Sequence, residues 1–227
     1  MTAVATLADR VAGVRRRIDA VAGGRRVTLV AVTKGFGRDT VAAARAAGLD
    51  DLGESYAHEL VAKADAIGDG GRWHFLGAVQ RRKVRHLAPV VALWQSVDRL
   101  GAGREIARHA PGASVLVQVN VTGLANRNGC TWDDAPGLVE GLSALGLDVR
   151  GLMAVGGRDD PRAEFRRLAV LARSLGLREV STGMSGDLEV AVEEGSTMVR
   201  VGQALFGPRP VPDRAGRRNY PAAQGGS

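Results

Sequence analysis

The 227-residue sequence is short of cysteine, short of aromatic side chains and without a long apolar run. Its one cysteine, Cys130, excludes an internal disulfide and a multi-cysteine metal site, which points to a reducing, cytoplasmic setting. Aromatic residues make up 4% of the chain, too few for a base-stacking platform. The formal net charge of +7 could suggest nucleic acid. That charge is scattered over Arg15–Arg17, the stretch 81–86 and the C-terminal arginines Arg209, Arg214, Arg217 and Arg218, however, with no single basic stripe. Helix-turn-helix, RRM and KH signatures are also lacking, so nucleic acid is not an expected partner. No apolar run approaches the ~20 residues a membrane span needs. The N-terminal arginines follow the apolar positions rather than precede them, unlike those of a signal peptide. A soluble chain with no membrane partner is the reading.

What is present is an alternation. Short apolar runs at 27–32, 51–53, 72–76, 90–95, 114–120, 149–155, 179–181 and 197–201 have the length and β-branched content of buried strands. Between them lie helical patterns at 38–47, 56–67, 79–87, 98–109, 133–145, 161–175 and 187–194, five of them followed by glycine (Gly48, Gly68, Gly146, Gly176, Gly195), the usual helix stop. Parallel strands need crossover helices, so an eightfold βα alternation predicts an α/β fold, a single-domain (β/α)8 TIM barrel. A further helix over 4–21 precedes the first strand. Residues 1–207 form the expected barrel domain, and the Pro/Gly/Arg-rich stretch 208–227 reads as a disordered basic tail.

In such a barrel the active rim lies at the C-terminal ends of the strands. At the tip of the first strand, in "VTLVAVTKGFG", stands Lys34, a cation where burial is expected. "TGMSGD" and "RVGQALFG", after the seventh and eighth strands, place glycines directly before helices, where free backbone N–H groups can cradle a phosphate. Each feature has a plainer reading: a lysine whose amine reaches solvent, and glycines that only make turns. Taken together, a phosphate site facing a desolvated lysine fits pyridoxal 5'-phosphate (PLP), whose aldehyde forms a Schiff base with a neutral amine.

The ordered motifs "LVAVTK", "GESYAHEL", "WHFLGAVQRRKV", "SVDR", "VLVQVNVTG", "GLMAV" and "STGMSGDLEVAVEEGSTMVRVGQALFG" extend this reading over nearly the whole chain. They resemble the YggS/PROSC family of PLP homeostasis proteins, single-domain relatives of the alanine racemase barrel. The resemblance implies that Lys34 bonds the cofactor aldehyde and that Arg200 faces the pyridine nitrogen. It implies a phosphate cradle made by Ser185 and Gly202, with the Gly186 and Gln203 amides as helpers. Met184 and Met153 either pack near the ring or belong to the core, and His74 and Gln80 either touch the ligand or order the rim. Two departures stand out: Ser55 occupies the place of the family's usual asparagine, and "NRNG", with Arg127, replaces a lysine-serine-glycine stretch. The implied function is binding and delivery of PLP by a monomer to PLP-dependent apoenzymes, without robust catalysis. The alternatives are an amino-acid racemase, which needs a second acid-base group that alanine racemase draws from a second domain, and a Schiff-base aldolase.

Overall fold

The computed structural model describes residues 6–209 apart from positions 69 and 158. Its elements are α1 (Leu7–Ala22), β1 (Thr28–Val32), α2 (Arg38–Ala46), β2 (Asp51–Glu54), α3 (Ala57–Ile67), β3 (Arg72–Phe75), α4 (Arg81–Leu87) and β4 (Val91–Val97). There follow α5 (Leu100–His109), β5 (Ser114–Gln118), α6 (Ala135–Ala144), β6 (Asp148–Met153), α7 (Arg162–Ser174), β7 (Glu179–Ser181), α8 (Leu188–Glu193), β8 (Met198–Val201) and α9 (Gln203–Phe206). The strands pair in chain order, all parallel, and β8 returns to β1 with Val30 opposite Arg200. This is the closed (β/α)8 barrel that the alternation predicts, with α1 as the extra N-terminal helix.

Two-residue periodicity sorts the strand side chains. One parity (Leu29, Ala31, Leu52, Trp73, Trp94, Val115, Val117, Leu152, Val180, Val199) joins the large apolar layer between sheet and helices. The other parity supplies a second, small cluster on the barrel axis: Val30, Leu93, Leu116, Met153 and Met198. Inward positions must stay compact: a Cβ on Gly53 would lie 2.8 Å from Leu76 and 3.0 Å from Val30.

α1 begins at a capping box in which Thr6 and Asp9 satisfy each other's backbone N–H groups. Its buried residues Val11, Val14 and Ile18 recur at helical spacing and face α8 and α9, and Arg17 forms an ion pair with Glu189. This helix therefore bridges the last elements of the chain.

Apart from the first helix, expected from position 4 and described from Leu7 with positions 4 and 5 outside the described residues, every boundary falls within two residues of expectation. β5 stops at Gln118 rather than at 120, because the Asn120 N–H turns to Cys130 O and the Asn120 amide side chain donates to Leu124 O, inside its own loop. β6 ends at Met153 rather than 155. β4 runs on to Val97, which pairs with Val117 after a register shift. Of the expected tail, 210–227 lies outside the described residues.

The β6–β7 seam leaves no room at Gly151, where a Cβ would lie 1.9 Å from Glu179 O. Gly151→Ala should lower the unfolding free energy by about 1–3 kcal/mol, read from the urea midpoint. Gly137→Ala, on α6 with no atom within 4 Å of the added carbon, should be neutral or slightly stabilising.

Candidate functional site

A cleft of about 780 Å³ opens at the C-terminal ends of the strands, and Lys34 stands on its wall. The backbone on either side of Lys34 is pinned from below. The buried Lys63 ammonium, from α3, donates to Thr33 O at 2.8 Å, to Glu54 Oε2 at 2.5 Å and to Glu59 Oε2 at 2.9 Å. Glu59 in turn accepts the Gly35 N–H at 2.8 Å. Gly35 has φ of 81°, a conformation that favours glycine, so the chain turns sharply right after the lysine. Glu54 also accepts the Ser55 N–H at 2.9 Å. Burial raises the Glu54 pKa, opposed by Lys63. Lys34 itself is half-buried, and desolvation lowers its pKa. The Arg209 and Arg200 charges add to that effect, and Glu54 opposes it. Its neutral amine is thus more accessible than that of a surface lysine.

Opposite Lys34, two loops meet. The Ser185 hydroxyl accepts the Ala204 N–H at 3.2 Å, tying the β7–α8 loop to α9, while Arg17 donates to Ser185 O at 3.2 Å. The Met184 N–H is held by Asp187 Oδ1 at 2.6 Å. The N–H groups of Gly186, Gly202 and Gln203 have no acceptor among the described residues. A Cβ on Gly202 would lie 3.1 Å from Val32 O, so a side chain there would press on the β1 backbone.

Arg200 completes the wall from β8. It is buried, donating to Ser181 O (2.7 Å), Ser181 Oγ (2.6 Å) and Ala154 O (2.7 Å). Burial pushes its pKa down to about 10, and Asp187 acts against that. Among the described residues no carboxylate is hydrogen-bonded to it: its hydrogen bonds go to neutral acceptors, and it lines the cleft.

All seven residues singled out from the sequence, Lys34, Met184, Ser185, Gly186, Arg200, Gly202 and Gln203, line this one cleft. Ser55 and Arg127 stand on its border as well. Met153 is buried, both in the axial apolar cluster and at the cleft floor, whereas Met184 is exposed at the rim and is not a core residue. His74 and Gln80 do not line the cleft: His74 lies buried deeper in the barrel, bonded to Asp51, and Gln80 is the exposed cap of α4. Sequence reasoning missed the Glu54–Glu59–Lys63 cluster, although a lysine on the apolar stripe of α3 beside Leu60 and Ala64, with a glutamate four residues before it, was a visible signal. It also missed Gln118, which lines the cleft from the β5 side together with Asn120 and Asn128 of the rim stretches "NVTG" and "NRNG".

A one-domain parallel barrel with an amine and an anion-ready amide cradle facing each other across a single cleft is the class that this geometry defines. The chain belongs to the alanine racemase N-terminal domain family, whose model matches residues 6–210, and within it to the PLP homeostasis proteins. It is 40% identical over 226 residues to the pyridoxal phosphate homeostasis protein of Pseudomonas aeruginosa, across 91% of this chain and 97% of that one. PipY of Synechococcus elongatus, whose solved structures include one with PLP bound, matches at 30% identity and a TM-score of 0.78, over 89% of this chain and all of that one. The alanine racemase of Corynebacterium glutamicum shares the fold, with 21% identity and a TM-score of 0.65, over 91% of this chain and 62% of that chain.

Removing the Lys63 ammonium would leave the buried Glu54 carboxylate facing the part-buried Glu59 carboxylate. Lys63→Met should therefore lower stability at neutral pH by about 3–5 kcal/mol in urea titrations. The sign with pH follows from Glu54: its raised folded pKa means that the penalty grows as it ionises. The deficit relative to wild type should accordingly shrink as pH falls through that pKa.

Proposed function

We propose that this chain binds pyridoxal 5'-phosphate in the cleft, with Lys34 as the covalent anchor, and serves cellular PLP homeostasis by holding and releasing the cofactor. The observation that carries the reading is the pairing of a half-buried, pKa-lowered lysine with unpartnered backbone N–H groups across one cavity. The name of the Pseudomonas aeruginosa relative and the PLP-bound PipY structure support it. Bound there, PLP supplies an aldehyde that condenses with a neutral amine. The chain's own residues do the rest. Lys34 presents its amine from a turn fixed on both sides by Lys63 and Glu59. Ser185 Oγ and the Gly186, Gly202 and Gln203 amides receive the phosphate. Arg200 donates to the ring nitrogen and, being permanently charged there, discourages its protonation, so the ring is a weak electron sink.

The cleft wall favours holding over turnover. Among the described lining residues there is no histidine, cysteine, tyrosine, aspartate or glutamate to act as a second proton carrier opposite Lys34. Tyr56, exposed, lies outside it. Release to PLP-dependent apoenzymes by a monomeric carrier completes the proposal; among the described residues the large exposed apolar side chains, Tyr56, Leu100, Leu124, Val170 and Met184, are few.

Borohydride treatment of the PLP-loaded protein should abolish its visible band and leave a pyridoxyl adduct that peptide mass spectrometry maps to Lys34. An adduct on Lys63 or Lys83 would overturn the anchor. Multiple-turnover formation of D-alanine from L-alanine, lost in Lys34→Ala, would replace the carrier reading with a racemase.

Ser185→Ala and Gly202→Leu should each raise the Kd for PLP by roughly 10- to 100-fold, the loss of charge-assisted phosphate hydrogen bonds of about 1.5–3 kcal/mol. Arg81→Ala, on the exposed face of α4, should leave it unchanged. Equal values for wild type and both cradle variants in fluorescence titrations would sink the phosphate assignment.

A further inference from the structure

The deep interior of the barrel is apolar except for one file of polar side chains. Arg200 (β8) donates to Ser181 Oγ (β7) at 2.6 Å, and Ser181 Oγ donates to Gln95 Oε1 (β4) at 2.7 Å. Gln95 Nε2 lies 2.7 Å from His74 Nδ1 (β3), and His74 Nε2 lies 3.1 Å from Asp51 Oδ1 (β2). Ser181, Gln95 and His74 are all buried. The file starts at the cleft and ends at the other mouth of the barrel. There a second cavity of about 410 Å³ is lined by Asp51, Arg72, His74, Arg150 and Glu179, and Arg72 grips Asp51 through two bonds of 2.8 and 2.6 Å.

The two ends dictate the direction of every bond between them. A guanidinium can only donate, and a carboxylate can only accept. Ser181 Oγ, accepting from Arg200, turns its own hydrogen to the Gln95 carbonyl. That orients the Gln95 amide nitrogen toward His74 Nδ1, which must accept. His74 therefore keeps its proton on Nε2 and gives it to Asp51. Four hydrogen bonds aligned head to tail in a low-dielectric interior polarise one another. They link the buried Arg200 cation, which has no carboxylate hydrogen-bonded to it among the described residues, to a distant one.

We propose that Ser181, Gln95 and His74 are positioning residues for Arg200, and that Asp51 at the far mouth of the barrel anchors the hydrogen-bonded file that fixes the guanidinium against the ligand. The inference rests on the reading of the cleft as a PLP site with Arg200 at the ring. It adds that the ring's environment is set in part by residues that never touch it, and it assigns His74 a task that the cleft itself does not reveal.

The test uses protein carrying 15N-labelled histidine, observed by NMR with and without PLP. Ligand-free wild type should show His74 with its proton on Nε2 and Nδ1 unprotonated. PLP should shift the His74 ring signals while those of His58, His86 and His109 stay in place. In Ser181→Ala, which keeps the backbone acceptor of Arg200, and in Gln95→Leu, the His74 response should vanish. The Kd for PLP should rise about 3- to 10-fold and the visible band should move, with far-UV circular dichroism unchanged. Arg150→Ala, at the same far mouth but outside the file, should behave as wild type. A His74 proton on Nδ1, His74 signals indifferent to bound PLP, or a Ser181→Ala protein with wild-type Kd and spectrum would each overturn the proposal. Should Gln95→Leu fail to fold, the smaller change Ser181→Ala still decides the matter. Wild type that binds no PLP would instead overturn the functional reading, and the His74 tautomer would still decide whether the file exists.

Discussion

Closure of the sheet is the constraint on which everything else rests. Once β8 pairs with β1, the eight strands share one axis, and each inward position competes for a space that holds only a few side chains. Val30, Leu93, Leu116, Met153 and Met198 fill it. The same parity continued two residues further brings Lys34 after Val32, Gln118 after Leu116 and Arg200 after Met198 to the cleft. The chemistry of the rim is thus an extension of the packing of the core: no loop had to find Arg200, because the register with Val30 delivers it.

That dependence explains what could be read from the sequence. The alternation of apolar runs with glycine-stopped helical patterns carries the fold, since both periods are local properties. The rim residues were legible because they sit at strand ends, where order along the chain converts into proximity in space. Asn120 shows the limit: its alternation continues the strand, but its side chain and N–H commit to the adjoining loop, a choice set by Cys130 further along that loop. The Lys63 cluster and the Arg200–Asp51 file were hidden for a related reason. Each gathers side chains from several strands or helices, and single polar residues such as Gln95 or His74 inside apolar runs do not announce their partners.

The distribution of charge inside the molecule follows one rule. Among the described residues two buried cations, Lys63 and Arg200, are each held by hydrogen bonds, and they differ in kind. Lys63 is closed on itself, with three acceptors of which two are carboxylates, and it works as a structural rivet beneath the Lys34 turn. Arg200 is held by neutral acceptors and keeps donor capacity toward the cleft. Fully compensated charge builds scaffold, and incompletely compensated charge is available to a ligand.

The contact between Arg17 and the Ser185 loop has a temporal meaning. α1 leaves the ribosome before the strands, yet its partners Glu189 and Ser185, and the α9 surface it packs on, are among the last parts of the barrel to be made. β1 waits in the same way for β8. A nascent chain exposing Lys34 therefore has no opposite cleft wall, because the Gly202 and Gln203 N–H groups that line it come from the last strand-to-helix turn. Both ends of the barrel must meet before the cleft exists, so a closed cleft is reserved for chains whose synthesis has passed α9.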